Sequence, residues 1–209
     1  MSALDLILRG AHLADGRRGV DIGIQQGRIV AVAPNLQADA QEALHVEGCL
    51  VSAPFVDAHF HMDATLSLGL PRLNQSGTLL EGIALWGELK PELTAEALIQ
   101  RALAYCDMAV AQGLLHIRSH VDICDDRLLA VEALLEVKRR IAPYLDLQLV
   151  AFPQDGLLRS ANAERNLLRA LDMGGDVIGG IPHFERCMAD GAESVQRLCR
   201  LAAEPGLPV

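Results

Sequence analysis

The sequence has few of the features that mark several common protein classes. Only 3% of its 209 residues are aromatic, and 18 Lys and Arg stand against 27 Asp and Glu, which gives a formal charge of −9. The absence of a basic block argues against binding to nucleic acid through phosphate contacts and against docking on anionic lipid. No apolar run of about 18 residues occurs, so no transmembrane helix is expected. We therefore predict a cytoplasmic protein with neither a nucleic-acid nor a membrane partner.

Motifs for several kinds of cofactor site are also missing. The five cysteines never show the CxxC spacing, which disfavours both a disulfide scaffold and a cysteine zinc site. Neither GxGxxG nor GxxxxGK[ST] follows a predicted strand, which disfavours an open sheet that binds phosphate groups. The complete H-x-E…P-C-x-x-C signature of the small zinc nucleobase deaminases is absent as well.

Aliphatic side chains dominate the composition. Hydrophobic residues make up 51% of the chain, enough to bury a large core. The first fifty residues contain short β-like runs separated by turn signals, at 4–9, 20–25, 28–34 and 46–51. We predict that residues 1–53 form a small β-sandwich portion.

From Phe55 onwards, strand patterns alternate with helix patterns, which predicts βαβ units and a parallel sheet in residues 54–209. The predicted strands are 55–61, 116–123, 147–152 and 177–181, with 207–209 as the start of another. The predicted helices are 81–90, 94–111, 128–141, 162–173 and 194–204. This α/β pattern fits an open doubly wound sheet or about half of a (β/α)8 TIM-like barrel, since a complete barrel needs about 250 residues.

A His-x-His motif, His59 and His61, ends the first strand of this region. Residues i and i+2 of a strand share a face, so we expect both imidazoles to point the same way, together with Asp57 and Asp63. Two such imidazoles can bind one metal ion. The alternative is a pair of hydrogen-bonded core histidines, although burying imidazoles that bind nothing is costly.

The next three strands also end in polar groups. His120 and Asp122 end the second strand and are candidates for supporting the metal ligands, or for a structural hydrogen-bond network. Gln154 follows the third strand, where its amide could pair with a ring edge or simply belong to a turn. His183 follows the fourth. Because barrel enzymes gather their catalytic groups at these strand ends, the clustering predicts an active site.

The segment 55–63, Phe-Val-Asp-Ala-His-Phe-His-Met-Asp, resembles the first-strand motif of the amidohydrolase superfamily. Together with segments 74–82, 116–122, 150–154 and 181–185, it resembles the bacterial cytosine deaminases in particular. The resemblance implies a (β/α)8 barrel with a β-sandwich, and one divalent metal ion, iron(II) or zinc. It also implies that His59 and His61 are two of the metal ligands, that Gln154 binds the pyrimidine edge, and that Leu79 borders the ring pocket.

The resemblance covers only the first half of this family's usual length. It implies that the third metal-binding histidine, the proton-shuttling glutamate and the metal-binding aspartate lie further along, so the catalytic residues are unknown and are expected beyond residue 209. We therefore interpret the 209 residues as an N-terminal half, and expect the isolated chain to be inactive and prone to associate.

The leading functional hypothesis is metal-dependent hydrolytic deamination of cytosine or a related pyrimidine or N-heterocycle, with release of ammonia. The metal would make hydroxide available near neutral pH, and a carboxylate would move the proton to the leaving group. We expect the complete enzyme to be a homo-oligomer. The alternatives are another amidohydrolase that cleaves a cyclic C–N bond, normally with a second metal and a bridging lysine, or a non-catalytic fragment that needs a partner. The sequence does not distinguish iron(II) from zinc as the metal ion, because imidazole binds both.

Overall fold

The computed structural model describes residues 4–209, which form two compact units with their boundary between Ala53 and Pro54. At this boundary the sequence pattern changes from short β-like runs to alternating strands and helices. No helix in the described part of the chain is both long and apolar enough to cross a membrane.

The N-terminal unit is a β-sheet in the strand order β3-β2-β1-β4, and β5 pairs with the end of β1. Its strands are β1 (Leu4–Leu13), β2 (Val20–Gln25), β3 (Arg28–Ala33), β4 (Ala40–His45) and β5 (Leu50–Val51). Strand β1 is antiparallel to β2 and parallel to β4. The buried core of this sheet centres on Ala11, Val20 and Ile22.

The strand predicted at 46–51 is wrong in this unit. Gly48 has a φ of 81°, a left-handed conformation that glycine adopts without steric cost and that interrupts the strand. Only β5 remains of the predicted run. Strand β4 escapes prediction because its sequence, Ala-Gln-Glu-Ala-Leu-His, lacks β-branched residues and is mostly exposed. It is held in the sheet by backbone pairing with β1.

The C-terminal unit alternates strands with helices, as the sequence predicts. Its strands are β6 (Phe55–Phe60), β7 (Leu114–Asp122), β8 (Asp146–Phe152) and β9 (Val177–Ile178). Its helices are α1 (Leu79–Leu89), α2 (Ala95–Ala111), α3 (Leu129–Ile141), α4 (Ala163–Met173) and α5 (Met188–Ala203). Short 3₁₀ turns lie at Met62–Ala64, Lys90–Glu92 and Pro182–Phe184.

The strand order of this unit distinguishes the two predicted architectures. The sheet runs β6-β7-β8-β9 with every pair parallel. A doubly wound sheet reverses its strand order at a switch point, whereas in a (β/α)8 barrel each strand pairs with the next. The observed order is therefore that of four successive barrel strands.

One face of the sheet is covered by helices and the other carries the polar residues. Ile117 and Val121 of β7 are buried in an apolar core with Leu98 of α2 and Leu134 of α3. Because side chains alternate along a strand, His120 lies on the other face of β7, where it lines a cavity. His120 is thus directed away from α2 and α3.

Helices α1 and α2 begin at threonine N-caps. The Thr78 Oγ1 accepts a hydrogen bond from the Glu81 amide and the Thr94 Oγ1 accepts one from the Ala97 amide, both at 3.3 Å. Thr94 lies at the start of the helix predicted at 94–111. The Thr78 cap starts α1 two residues before the predicted position, and so brings Leu79 into the first turn.

Two predicted boundaries and one predicted strand near the C-terminus are wrong. Helix α5 begins at Met188 rather than Ser194, because Cys187 acts as an N-cap that the sequence pattern does not signal. Strand β9 ends at Ile178, just before Gly179 and Gly180. The predicted strand at 207–209 is absent, although the Pro208 carbonyl accepts a hydrogen bond of 3.0 Å from the Ile178 amide.

Candidate active site

Three imidazoles meet at the carboxyl ends of β6 and β7. The ring centroids of His59 and His61 are 5.3 Å apart. The ring of His120 lies 4.0 Å from that of His59 and 5.6 Å from that of His61. Phe152, at the end of β8, closes the cluster with its edge toward His120 at 5.2 Å between centroids. Two predicted ligands and one predicted supporting residue are therefore neighbours.

A bulge in β6 explains how the two histidines are placed. Asp57 pairs with Ile117 and Phe60 with Ser119, so three steps along β6 oppose two steps along β7. The extra residue shifts the alternation of side chains, which the sequence pattern does not reveal. Phe60 stacks on Tyr105 of α2 at 4.3 Å between ring centroids, on the helix-covered side.

The bulge and the turn that follows it make one prediction wrong, because Asp57 and Asp63 do not share a site with the histidines. The Asp57 carboxylate accepts a hydrogen bond of 3.1 Å from the His59 amide, and its charge acts on Tyr105 at the helix-covered side. The buried Asp63 carboxylate lies in a 3₁₀ turn and accepts a 2.9 Å hydrogen bond from the Asp122 amide. Burial, together with the negative charge of Asp122, raises the pKa of Asp63 to about 7, although the hydrogen bond from the Asp122 amide favours the ionised form of Asp63.

Burial and neighbouring rings favour the neutral form of two imidazoles in this cluster, those of His61 and His120. Burial and the neighbouring rings of His59 and His61 lower the pKa of His120 to about 4. Burial and the ring of His59 also lower the pKa of His61. The Nδ1 atom of His120 is buried and, among the described residues, has no hydrogen-bond partner. Neutral imidazoles with a free ring nitrogen are the form that binds a metal ion.

A cavity of about 790 Å³ opens in front of these rings. It is lined by six of the residues that the sequence singles out, namely His59, His61, Leu79, His120, Gln154 and His183. Leu80 and Ile83 add apolar surface from α1. The cavity thus combines a cluster of titratable groups, one primary amide and apolar walls, which is the usual composition of a small-molecule site.

The segments that carry Gln154 and His183 are tied to each other. The Glu185 carboxylate accepts hydrogen bonds from the amides of Leu157 at 2.6 Å and Leu158 at 3.2 Å. These amides follow Gln154 in the loop after β8, and Glu185 ends the turn that contains His183. The position of Gln154 at the cavity wall is therefore supported by a buried carboxylate from the neighbouring β9 connection.

Asp122 takes a different place from the other predicted site residues, because it does not line the cavity. Its carboxylate accepts hydrogen bonds from Trp86 Nε1 at 2.7 Å and from the Cys124 amide at 2.8 Å. It also forms an ion pair of 2.7 Å with Lys90 Nζ. Asp122 therefore joins β7 to α1 behind the cavity wall.

Two further polar residues of β7, His116 and Arg118, contact side chains of β8, and Arg118 also lines the cavity. His116 Nδ1 is 2.9 Å from Asp146 Oδ2, and Arg118 Nε donates a 2.6 Å hydrogen bond to Gln148 Oε1. Both pairs join β7 to β8. These contacts give both residues a structural role between the two strands.

Comparison with known proteins identifies the family to which this chain belongs. A family model described as the amidohydrolase family matches residues 44–209. The chain belongs to the amidohydrolase family. The resemblance that the sequence suggests is thereby confirmed at the level of the family.

Two kinds of relative cover nearly all of this amidohydrolase chain. The 5-methylcytosine deaminase from Klebsiella pneumoniae, solved with phosphonocytosine, is 41% identical with a TM-score of 0.90, over 96% of this chain and 50% of that one. The N-isopropylammelide isopropyl amidohydrolase of Pseudomonas sp. (strain ADP) is 34% identical over 96% of this chain and 51% of its own length. The N-isopropylammelide isopropylaminohydrolase from Burkholderia multivorans ATCC 17616 is 26% identical with a TM-score of 0.76, over 96% and 50% of the two chains.

The amidohydrolase chain thus spans about half the length of the relatives it matches. These relatives have a TIM-barrel fold, so the prediction of about half a (β/α)8 barrel with an N-terminal β-rich portion is confirmed. The four parallel strands β6 to β9 are the barrel strands that this chain contributes.

The superfamily uses a divalent metal ion, and the histidine cluster has the donor set for one. Another group of potential ligands, Asp122, Cys124 and Asp155, has its donor atoms within 4.8 Å of one another. Lys90 already places its ammonium between the two aspartates of that group, 2.7 Å from Asp122 and 3.0 Å from Asp155. Burial also raises the pKa of the Cys124 thiol to about 12, away from the thiolate form that binds metals. These contacts and the protonated thiol argue against a metal ion at this group.

Sequence reasoning missed the residues that support this site from behind. Lys90 and Trp86 lie one helical turn apart at the end of α1, and Asp155 directly follows Gln154. Glu185 belongs to the segment 181–185, for which the sequence predicts a role only at His183. The only signals for them are the single tryptophan of the chain and the adjacency of Asp155 to Gln154, and neither pattern reveals which side chains meet.

Proposed function

We propose that the full-length protein hydrolytically deaminates a nucleobase-like N-heterocycle, cytosine or 5-methylcytosine in particular, and that this chain supplies one part of the active site. The observation that carries the proposal is the meeting of His59, His61, His120 and Gln154 at one cavity. The 41% identity to a 5-methylcytosine deaminase over 96% of the chain supports this choice of substrate.

His59 and His61 are proposed as two ligands of one divalent metal ion, iron(II) or zinc. Such an ion lowers the pKa of a bound water, so that hydroxide is available near neutral pH. The bulge in β6 holds the two rings on the cavity side. His120 is proposed to hydrogen-bond, through its free Nδ1, to a group bound beside these ligands, because that buried atom otherwise leaves its hydrogen-bonding capacity unused.

Gln154 is proposed to orient the substrate ring. Its amide has one oxygen that accepts and one nitrogen that donates, which matches a neighbouring N–H and carbonyl on a pyrimidine edge. Leu79, Ile83 and Phe152 provide apolar surface around the same cavity. Hydrogen bonds formed in a site that excludes water discriminate strongly between substrates.

A second candidate is hydrolysis at an N-alkylated heterocycle. The 34% identity to the N-isopropylammelide isopropyl amidohydrolase favours it. The two candidates share the same attack on a ring carbon but release different amines, ammonia in one case and an alkylamine in the other. The product amine therefore distinguishes them directly.

The proposal is tested with the full-length protein loaded with iron(II) or zinc. Cytosine, 5-methylcytosine, isocytosine and N-isopropylammelide are supplied in parallel, and the released amine is identified. Release of ammonia from a pyrimidine, lost in His59→Ala together with the metal, supports the first candidate. Release of isopropylamine alone supports the second. A protein that binds the metal fully and acts on none of the four contradicts both.

A further inference from the structure

Lys90 connects three segments that surround the cavity. Its Nζ lies 2.7 Å from Asp122 Oδ2 and 3.0 Å from Asp155 Oδ2. Asp122 ends β7, Asp155 belongs to the loop after β8, and Lys90 directly follows α1. The Lys90 side chain is only 14% exposed and that of Asp122 only 2%. This single ammonium therefore bridges the buried carboxylate of Asp122 and the partly exposed carboxylate of Asp155.

The bridge fixes α1 by two donors. Trp86 Nε1 donates a 2.7 Å hydrogen bond to the same Asp122 Oδ2 that Lys90 contacts. Trp86 and Lys90 are four residues apart and so lie on one face of a helix. Burial disfavours the charged form of Lys90, but the two carboxylates outweigh it and raise the pKa of Lys90. The ammonium is thus charged throughout the physiological range.

Apolar packing holds α1 only weakly. Leu89 is the one residue of α1 that is fully buried. Leu79 is 77% exposed and Leu80 is 73% exposed, although both line the cavity. A helix with so little buried surface takes its position mainly from its directed polar contacts, since burial of apolar area is the usual source of packing energy.

We propose that Lys90 is a positioning residue for the substrate cavity. Through Asp122, which Trp86 also binds, it holds the α1 wall that carries Leu79, and through Asp155 it holds the loop that presents Gln154. Its bridge sets the width of the gap between these two walls, in which the heterocycle binds. The consequence for substrate affinity rests on the proposed function, whereas the consequence for the order of α1 does not.

Two substitutions of Lys90 and one matched control test this role in the full-length protein. Lys90→Met keeps most of the side-chain length and removes the charge, and Lys90→Arg keeps the charge. The control is Lys138→Met, since Lys138 pairs with Asp176 at 2.7 Å in the same unit but does not line this cavity. Measurements are kcat and KM for the pyrimidine substrate, metal content, and amide hydrogen exchange of residues 79–89 and 153–158.

We expect Lys90→Met to raise KM about tenfold or more, to change kcat less, and to leave metal content unchanged. Amide exchange in α1 and in the loop after Gln154 should rise in the same variant. Lys90→Arg should restore part of the affinity. Lys138→Met should leave KM and the exchange of both segments as in the wild type.

Unchanged exchange in both segments, with KM within about twofold of the wild type, would overturn the proposal. If the wild type deaminates no heterocycle, the proposed function fails, and hydrogen exchange alone decides the role of Lys90. If Lys90→Met does not fold, Asp155→Asn provides the second variant, because the Asp155 side chain is 46% exposed and its loss leaves the Lys90–Asp122 pair in place. Faster exchange at 153–158 with a raised KM supports the role, and wild-type values of both contradict it.

Discussion

The imidazoles of His59 and His120 lie 4.0 Å apart, centroid to centroid, across the junction of two neighbouring barrel strands. Both rings line the cavity, and burial with mutual proximity lowers the pKa of His120 to about 4. Two basic side chains placed so close would repel each other if both were charged. Their arrangement is stable at pH 7 because His120 is neutral, and it leaves ring nitrogens available for a metal ion or a polar ligand.

The first prediction concerns the two proposed ligands. In the full-length protein, His59→Ala or His61→Ala should abolish metal binding and activity, because each removes one imidazole of the donor set. Metal analysis of the purified variants, with circular dichroism as a check on folding, measures this. His116→Ala is the matched control, since His116 pairs with Asp146 outside this cluster. Full metal occupancy in both ligand variants would exclude the assignment.

A second prediction separates His120 from the ligands. His120→Phe keeps a ring of similar shape but removes the free Nδ1, so we expect metal affinity to fall about 10–100-fold without complete loss, as for a residue beside the ligands. Titration with a competing chelator measures the affinity. Complete loss of metal, as in His59→Ala, would make His120 a ligand rather than a neighbour.

Sequence periodicity could predict where the site lies because strand ends are marked by polar residues that follow apolar runs. It could place His59, His61, Gln154 and His183 at the carboxyl ends of strands, and all four line the cavity. It could not place Asp57, because the one-residue bulge in β6 reverses side-chain alternation and is decided by pairing with β7.

The sequence pattern also could not predict long-range contacts between side chains. Asp122 is predicted to support the metal ligands, but its contacts with Trp86 and Lys90 could not be inferred from the sequence. Those partners come from a helix whose register depends on the Thr78 cap and on tertiary contacts. The sequence predicts a strand over 177–181, but β9 ends at Ile178. The next residue, Gly179, lies so close to β8 that it leaves no room for a side chain, which the sequence pattern does not reveal.

A third prediction concerns that close approach. A Cβ added to Gly179 would lie 2.6 Å from Val150 Cγ1 and 3.0 Å from Phe152 Cδ2, and both side chains are buried in β8. Gly179→Ala should therefore reduce the free energy of unfolding by about 1–3 kcal/mol, measured by urea denaturation. Gly87→Ala is the control, because its Cβ would meet no atom within 4 Å in α1; the added helix propensity should stabilise by up to about 1 kcal/mol. Equal effects of the two would contradict the packing argument.

A fourth prediction uses the cysteines. Cys49, Cys187 and Cys199 are exposed, whereas Cys106 is buried and Cys124 partly buried. Burial raises the pKa of Cys106 to about 11 and that of Cys124 to about 12. At pH 8 both thiols are almost fully protonated, and their thiolate fraction rises only as pH approaches these values. We expect an aromatic disulfide reagent to modify three cysteines quickly and these two only after denaturation. Fast modification of either would contradict the structure.

A fifth prediction concerns the isolated 209-residue chain, which we expect to associate and to lack activity. In the sheet order β6-β7-β8-β9, the outer edge of β6 is unpaired within the described residues, and β9 has beyond β8 only the hydrogen bond from the Ile178 amide to the Pro208 carbonyl. Phe55 is 65% exposed and Val56 is 66% exposed on β6. Unpaired edges with exposed apolar side chains promote association. Light scattering with an ammonia assay on cytosine measures both properties. A monodisperse monomer that releases ammonia would refute the prediction.

The last prediction isolates the role of Gln154 in substrate recognition. In the full-length protein, Gln154→Ala should lower kcat/KM for the pyrimidine about 100-fold, because two hydrogen bonds of about 1–3 kcal/mol each are lost in a dry pocket. Metal content should stay normal, since Gln154 follows β8 and lies outside the histidine cluster. Gln100→Ala is the matched control, because Gln100 is an exposed glutamine of α2 that does not line this cavity. If Gln154→Ala stays within about threefold of the wild type while Gln100→Ala behaves alike, Gln154 is an ordinary turn residue. The substrate would then be recognised by other groups of the cavity.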